Sequence, residues 1–378
     1  MPANGHALLS ASSAHRWIHC TPSARLCEDI EDTPSEYASE GSTAHSWCEY
    51  KVNKLLGKNV SEPEKDEYYS KEIDECSNNY AAFINELIED IKQHCKDPIV
   101  MVEQKLDFSK YVEEGFGTGD CVIVADGVLH IIDYKHGKGV VVDSDNNPQI
   151  MLYALGALEL FDSLYEINTI SMTIYQPRVS NISTFEVSKD ELLKWAKEVL
   201  IPASKLAFYG TGNYCSGEWC RFCKAKHLCR ERAKESMKLA ELDFKKPPIL
   251  TDEEVEDALD KIDDLMSWAN DIKDYALDAA LKGKVWNRYK LVEGRSIRKV
   301  KDENSVAGEV IKAGYDPYEK KLATLTELNK RLGKKLFSEL VEPYTYKPQG
   351  KPTLVKRDDK RPEMNLAVND FNDIEEEK

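Results

Sequence analysis

Apolar residues recur at helical spacing through Tyr80, Phe83, Ile84, Leu87, Ile88 and Ile91, which predicts a long helix within 66–96. The period then changes. Residues 99–106 read as a strand with one acidic interior position, Glu103. Two apolar runs follow, 121–125 and 128–133, separated by Asp126-Gly127, a strong two-residue turn signal. They predict a β-hairpin. Residues 148–161 read as a helix with Pro148 in its first turn. Strands are expected at 170–176 and 184–187, then a helix capped by Ser188 and running to about Tyr209. Upstream, 8–26 reads as a short helix whose Leu9, Trp17 and Leu26 belong to the core. Residues 28–40 read as an acidic loop and 43–56 as a helix. The order predicts an α/β fold, a mixed central sheet flanked by helices.

Beyond this region, 245–248 reads as a linker and the TDEE at Thr251 as a capping box opening a helix to about Leu281. Composition changes there too. Residues 284–361 hold 20 Lys and Arg against 11 Asp and Glu, and 369–378 are acidic and poor in apolar groups, as in a disordered tail. The expected organisation is a domain over 1–240, a mainly helical and partly basic accessory region over 249–368, and the tail.

The chain has 378 residues, 42% of them apolar, enough for a substantial core. Its net charge of −16 means that the surface as a whole does not attract nucleic acid. Any such contact needs a local basic groove. No apolar run reaches the length of a transmembrane helix, so no membrane association is expected. The first residues lack the layout of a signal peptide. Ten cysteines then point to a reducing, cytoplasmic setting and to metal ligation or free thiols, not disulfides.

Counting outward from the hairpin turn pairs Ala125 with Val128 and Val122 with Ile131, and sets Asp120 opposite Asp133. Like charges facing each other on a hairpin repel. A divalent cation between them converts that repulsion into ligation, because Mg²⁺ takes carboxylate oxygens. Lys135 lies two residues past Asp133 and so on the same face of an extended strand. Two carboxylates and an ammonium around one point are suited to metal-assisted attack of water on a phosphodiester. A salt-bridged surface cluster is the plainer alternative, but the apolar run between these charges places them at the end of a buried sheet.

A second constellation lies in 215–229, where Cys220, Cys223 and Cys229 form C-x₂-C-x₅-C and Cys215 stands just upstream. Such spacing suits Zn²⁺ or an iron–sulfur cluster. The fourth ligand is either Cys215 or the distant Cys20, which would clasp the ends of the domain together. Trp219 and Phe222 are candidates to shield the site. Cys27, Cys48, Cys76, Cys95 and Cys121 read as ordinary thiols. Arg288, Lys290, Arg295, Arg298, Lys299 and Lys301, with Trp286 and Tyr289 among them, form either a surface for single-stranded nucleic acid or a solvated amphipathic face.

Taken together, these residues resemble the RecB-like, iron–sulfur-containing branch of the PD-(D/E)XK nuclease superfamily, which includes the AddB nuclease domain and CRISPR-associated and phage exonucleases. The resemblance covers roughly 8–232. Gly41-Ser42-Thr43-Ala44-His45 matches GxxxH, Gly117-Thr118-Gly119-Asp120 matches GxxD, Asp133-Tyr134-Lys135 matches (D/E)xK, and the run from Gln149 to Tyr153 matches QxxxY. The resemblance implies a restriction-endonuclease-like core. It implies that His45, Asp120, Asp133 and the backbone carbonyl of Tyr134 bind Mg²⁺ or Mn²⁺. Lys135 would activate water, and Gln149 and Tyr153 would line the site. Cys20, Cys220, Cys223 and Cys229 would hold a 4Fe–4S cluster, with Zn²⁺ as the alternative. Glu103, on the strand before the hairpin, is either a supporting acid or a structural salt-bridge partner. The implied activity is a metal-dependent DNA exonuclease of linear or single-stranded DNA. Its expected setting is phage-type recombination or end processing beside a strand-annealing or recombination protein, in a bacterial or phage-infected cell. The competing expectation is a catalytically silent DNA-binding adaptor on a nuclease fold.

Overall fold

The computed structural model describes residues 7–30, 36–237, 251–292, 301–318 and 322–346. Its centre is a five-stranded sheet in the order β1 (Ile99–Asp107), β2 (Phe116–Ala125), β3 (Gly127–Tyr134), β4 (Ile167–Gln176), β5 (Asn181–Ser188). All neighbouring pairs are antiparallel except β3–β4. A parallel pair requires a crossover, and α5 (Pro148–Phe161) supplies it. The sheet is therefore mixed and flanked by helices, as the pattern predicts.

Strand alternation divides the core in two. Val122, Val124, Leu129 and Ile131 pack with α5, whose Ile150, Leu152, Ala154 and Leu155 are fully buried. Cys121, Ile123, Ala125, Ile132 and Tyr134 pack with α3 (Glu36–Leu55) and α4 (Lys71–Ile91) through Trp47, Val52, Tyr80 and Ile84. Each such aliphatic side chain contributes about 1.5–3 kcal/mol on full burial. Deletion of one of them to alanine costs about 2–5 kcal/mol. The strand register is consequently fixed, because a slip of one residue would exchange the two faces.

Several boundaries differ from expectation. The 8–26 segment is not one helix but α1 (Ala14–His19) and α2 (Ser23–Leu26), interrupted at Cys20–Pro22. Leu9 and Trp17 are buried as expected, but Leu26 is exposed. Helix α3 begins at Glu36, so 36–40 are helical and His45 lies well inside the helix. The polar residues that read as a loop form its exposed start, held by burial of Thr43, Ala44, Trp47 and Cys48 one to three turns on. Strand β2 begins at Phe116 because Gly117 and Gly119 pair with β1. A Cβ at Gly117 would meet Tyr153 Cε1 at 2.8 Å, and one at Gly119 would meet Leu106 Cδ1 at 2.9 Å. These glycines are packing requirements inside a strand, not loop signals.

Ser188 caps α6 (Lys189–Trp195) as expected, and it does so in a capping box with Glu191. This helix continues through a π-turn at Ala196–Leu200 into α7 (Ile201–Phe208). The chain forms two compact units, 1–292 and 293–378. The first includes α8 (Arg230–Met237) and α9 (Asp252–Leu281), opened by the Thr251 capping box. Asp271 of α9 pairs with Arg232 at 2.6 Å and with Lys226 at 2.8 Å. Within the second unit, α10 (Glu303–Lys312) and α11 (Leu325–Leu340) are described, the latter broken at Gly333. The expected linker at 245–248 and the tail at 369–378 lie outside the described residues. Among the described residues, no helix is long and apolar enough to cross a membrane.

Candidate metal centre at the open end of the hairpin

The hairpin register pairs Ala125 with Val128 and Val122 with Ile131, and the ladder ends at Cys121–Ile132. Asp120 and Asp133 stand just beyond it. Asp120 does not simply face Asp133. Its Oδ2 accepts the Tyr134 backbone N–H at 2.6 Å, and its Oδ1 lies 3.3 Å from His45 Nδ1. One carboxylate thus ties the end of β3 to α3.

Asp133 belongs to a second group. Its Oδ2 lies 2.8 Å from Lys135 Nζ, so this buried oxygen faces an ammonium as its countercharge. Gln149 Nε2 donates to Asp133 Oδ1 at 3.3 Å and to Tyr153 Oη at 3.2 Å, while Gln149 Oε1 accepts from Lys135 Nζ at 3.0 Å. Gln149 and Tyr153 are four apart on α5 and so share a face. Asn147 caps that helix, accepting from the Gln149 N–H at 3.0 Å.

Glu103 completes the first group. Among the described residues, His45, Glu103 and Asp120 are the one set of three potential ligands whose donor atoms all lie within 4.8 Å of one another. Glu103 sits inside β1 with φ +51°, where the ladder passes from Val102–Cys121 to Gln104–Gly119 and omits it. A left-handed non-glycine residue within a strand costs on the order of 1–3 kcal/mol. The sequence revealed Glu103 as an acid in a strand, but not its backbone strain, which is a property of the folded ladder.

The electrostatics follow this division. Burial, and then the Asp120 charge, push the Glu103 carboxyl up to about 7. Burial alone would raise Asp120, but the His45 ring beside it outweighs that and holds it below the usual carboxylate range. Burial also raises Asp133, more than Lys135 offsets. His45 and Lys135, which burial would lower, are both raised by the acids they face. Lys135 is therefore an ammonium at neutral pH.

A partly exposed ion-pair set that the sequence did not reveal anchors this end of the sheet. Arg178, just past β4, reaches Glu40 of α3 and Glu72 of α4, each at 3.0 Å. His136 lies beside Glu40 and contacts Tyr134 Oη at 2.9 Å. The helix carrying His45 is thereby fixed to the strand end carrying Lys135.

Residues 6–362 match the family described as "Protein of unknown function (DUF2800)". The chain belongs to the DUF2800 family. A solved structure titled "Crystal structure of SSO0001" aligns with 51% of this DUF2800 chain and 98% of its own, at 13% identity and a TM-score of 0.23, too low to carry an argument.

The cysteine segment of this DUF2800 chain is built differently. The Cys20 sulfur accepts the Cys215 N–H at 3.5 Å. Burial raises its thiol, and the neighbouring Cys220 and Cys229 sulfurs add to the effect. The contact of Cys20 in the C-terminal cysteine segment is thus with the Cys215 backbone. Cys223 instead faces Cys27, with sulfurs 3.6 Å apart. Cys27 is thus not a bystander thiol; no spacing rule pointed to it, because the contact is made by tertiary folding. The Cys223 contact lowers Cys27 toward a thiolate, with Arg16 contributing, and raises Cys223. Trp219 stacks on His19 at 4.3 Å between ring centres, but Phe222 is 75% exposed and shields nothing.

Of the basic candidates, Arg288 and Lys290 are exposed, whereas Arg295, Arg298 and Lys299 lie outside the described residues. Trp286 is not displayed for stacking. Its Nε1 donates to Ala276 of α9 at 3.0 Å, and Lys284 covers its ring at 4.2 Å.

Proposed function

We propose that this protein is a divalent-metal-dependent deoxyribonuclease of the RecB-like PD-(D/E)XK type, acting on linear or single-stranded DNA. The observation that carries the reading is the convergence of His45, Glu103 and Asp120 within 4.8 Å, beside a buried Asp133–Lys135 pair. The donor set fits a hard cation. It offers carboxylate oxygens and one imidazole. Asp133 is buried with the Lys135 ammonium beside it, and Glu103 is held at a left-handed φ inside its strand. His45, Asp120, Asp133 and the Tyr134 carbonyl would hold Mg²⁺ or Mn²⁺, with Glu103 in support. A cation bound there supplies Lewis acidity toward a phosphoryl oxygen and lowers the pKa of water.

The chain's own residues divide the remaining work. Lys135, a charged ammonium oriented by Gln149 Oε1, donates to a non-bridging phosphoryl oxygen and stabilises the charge that grows there. Gln149 holds Asp133 and Tyr153 in one line and fixes the face against which the strand lies. Burial of Asp133 excludes bulk water and strengthens each of these interactions.

Cys20, Cys220, Cys223 and Cys229 would hold a 4Fe–4S cluster joining the two ends of the nuclease domain. Its role is structural, since hydrolysis transfers no electrons. Exonuclease action on ends, ahead of a strand-annealing or recombination partner, is the setting this reading favours.

The test is degradation of end-labelled linear and circular DNA with Mg²⁺ or Mn²⁺ by anaerobically purified protein, wild type beside Lys135→Ala. Loss of linear DNA only, abolished by the substitution and by EDTA, is the expected outcome. Cutting of circles would make the enzyme an endonuclease. Activity that survives EDTA would overturn the mechanism, and DNA binding without cleavage would favour the adaptor. A broad visible absorbance reports iron–sulfur; a colourless protein with bound metal reports zinc.

A further inference from the structure

The loop over 137–147 begins two residues after Lys135 and ends two before Gln149, so both of its legs are rooted in the candidate site. It is pinned from beneath. Gln176, only 1% exposed at the end of β4, donates from Nε2 to Gly137 O at 2.6 Å and to Val140 O at 2.8 Å. Its Oε1 accepts from Val142 N at 3.1 Å and Asn181 Nδ2 at 3.4 Å. Two donors and two acceptor sites are all that an amide has. Asn181 also donates to Val142 O at 2.8 Å, and Ser183 bonds Ser144 at 2.8 Å. Three of the four hydrogen bonds of a buried amide hold an exposed loop in one shape, and the fourth ties it to Asn181 of β5.

The tip of this finger is Gly137-Lys138-Gly139-Val140-Val141, all exposed. Glycine usually answers a left-handed φ or a steric demand. Neither applies at Gly137 or Gly139: φ is ordinary, and an added Cβ would meet nothing within 4 Å. Four described glycines share this lack of an internal reason. Three of them, Gly41, Gly137 and Gly139, lie close in sequence to His45 or Lys135; the fourth, Gly308, is in α10. What remains as a reason is close approach of something outside the chain. Lys138 lies three residues from Lys135, hence within about 11 Å along the backbone. It brings a cation to a protein whose net charge is −16.

We propose that the 137–142 finger is a strand clamp. Gly137-Lys138-Gly139 receives a backbone phosphate of the DNA strand adjoining the one at the hairpin site, and Val140 and Val141 pack on its sugar and base. The proposal rests on the nuclease reading for the identity of the ligand. It explains why the loop is both rigid and apolar at its tip: a clamp that is already ordered loses little entropy on binding.

The experiment is fluorescence anisotropy of an end-labelled single-stranded oligodeoxynucleotide with the full chain, using Ca²⁺ in place of Mg²⁺, across a salt series. Lys138→Ala should weaken binding about 3- to 10-fold and reduce the slope of log affinity against log salt by about 0.7, one single-strand phosphate contact. Gly137→Ala with Gly139→Ala should weaken binding to a similar degree while the thermal midpoint holds or rises slightly. Val140→Ser with Val141→Ser should weaken binding and leave the salt slope unchanged. Gly308→Ala should change nothing. Wild-type affinity in the finger variants would overturn the clamp, as would loss of a protein partner's binding with DNA affinity intact. Finger-dependent DNA binding by a wild type that cleaves no DNA would uphold the clamp and sink the nuclease reading. Cleavage by wild type with unaltered DNA binding in every finger variant would do the reverse.

Discussion

The hairpin end and the cysteine segment each gather reactive side chains, but by different physical means. At the hairpin end, backbone ladders, a capped helix and ion pairs place the groups. Asp120 holds the Tyr134 N–H, Gln149 holds both Asp133 and Lys135, and Arg178 ties α3 and α4 to the sheet. The cysteine segment has a short 3₁₀ turn at Glu218–Phe222 and otherwise irregular chain. There the thiols themselves make the long-range contacts, Cys20 with the Cys215 N–H and Cys27 against Cys223. The lesson is that one site is preorganised by its scaffold, while the other is itself part of the scaffold.

Substitutions should separate the two. On the proposed nuclease reading, the largest effect is expected for Lys135→Ala, a loss of about 10²–10⁴ in cleavage rate with the visible absorbance of the proposed cluster unchanged. An equal loss of absorbance would show that the two regions do not stand apart. Next is Cys20→Ser. A cluster held by both Cys20 and Cys220, as proposed, would close a loop of about 200 residues, worth about 5 kcal/mol by the chain-entropy estimate. The thermal midpoint should fall by about 10–20 °C. A midpoint within a degree or two of wild type would refute a scaffolding role for the cysteines.

Arg178→Met comes third. Removing the cation from this partly exposed ion-pair set should cost about 1–3 kcal/mol, and it should also lower metal affinity at His45, measured by calorimetry with Mn²⁺. Unchanged Mn²⁺ binding would mean that the helix carrying His45 needs no such anchor.

The smallest effect concerns Glu103. Folded Glu103 holds its proton to about pH 7, whereas an unfolded glutamate releases it near 4.5. Between those values the folded state binds more protons. The stability this group contributes in EDTA is therefore complete below about pH 4.5 and lost as pH rises through 7, by at most about 3 kcal/mol. Glu103→Gln should flatten that part of the melting profile, and wild-type Mn²⁺ affinity should rise over the same interval as the competing proton leaves. A Glu103→Gln profile parallel to wild type would remove Glu103 from the charged cluster.

What was legible in the sequence tracks how local each determinant is. The hairpin register follows from the Asp126-Gly127 turn and strand alternation, so the placement of Asp120, Asp133 and Lys135 beyond Cys121–Ile132 could be counted out directly. The α5 boundaries follow from Pro148 and an apolar run. The start of α3 was not legible, because Glu36 to Gly41 carry no apolar stripe and are helical only because the turns beyond them are buried. Cys27, Arg178 and Gln176 escaped for a related reason. Each acts through a partner far away in the chain, and nothing in its own neighbourhood announces the meeting.

The contact between Cys27 and Cys223 spans 196 residues. A ribosome adding about 5–20 residues per second needs roughly 10–40 s to make that stretch. During this interval Cys20 and Cys27 have left the translation machinery and their partners do not yet exist. The strand meander β1–β2–β3, built of neighbours, can pair meanwhile. The domain is therefore finished last at its first residues, and cellular thiols, chaperones and metal donors meet those two sulfurs before the rest of the protein does.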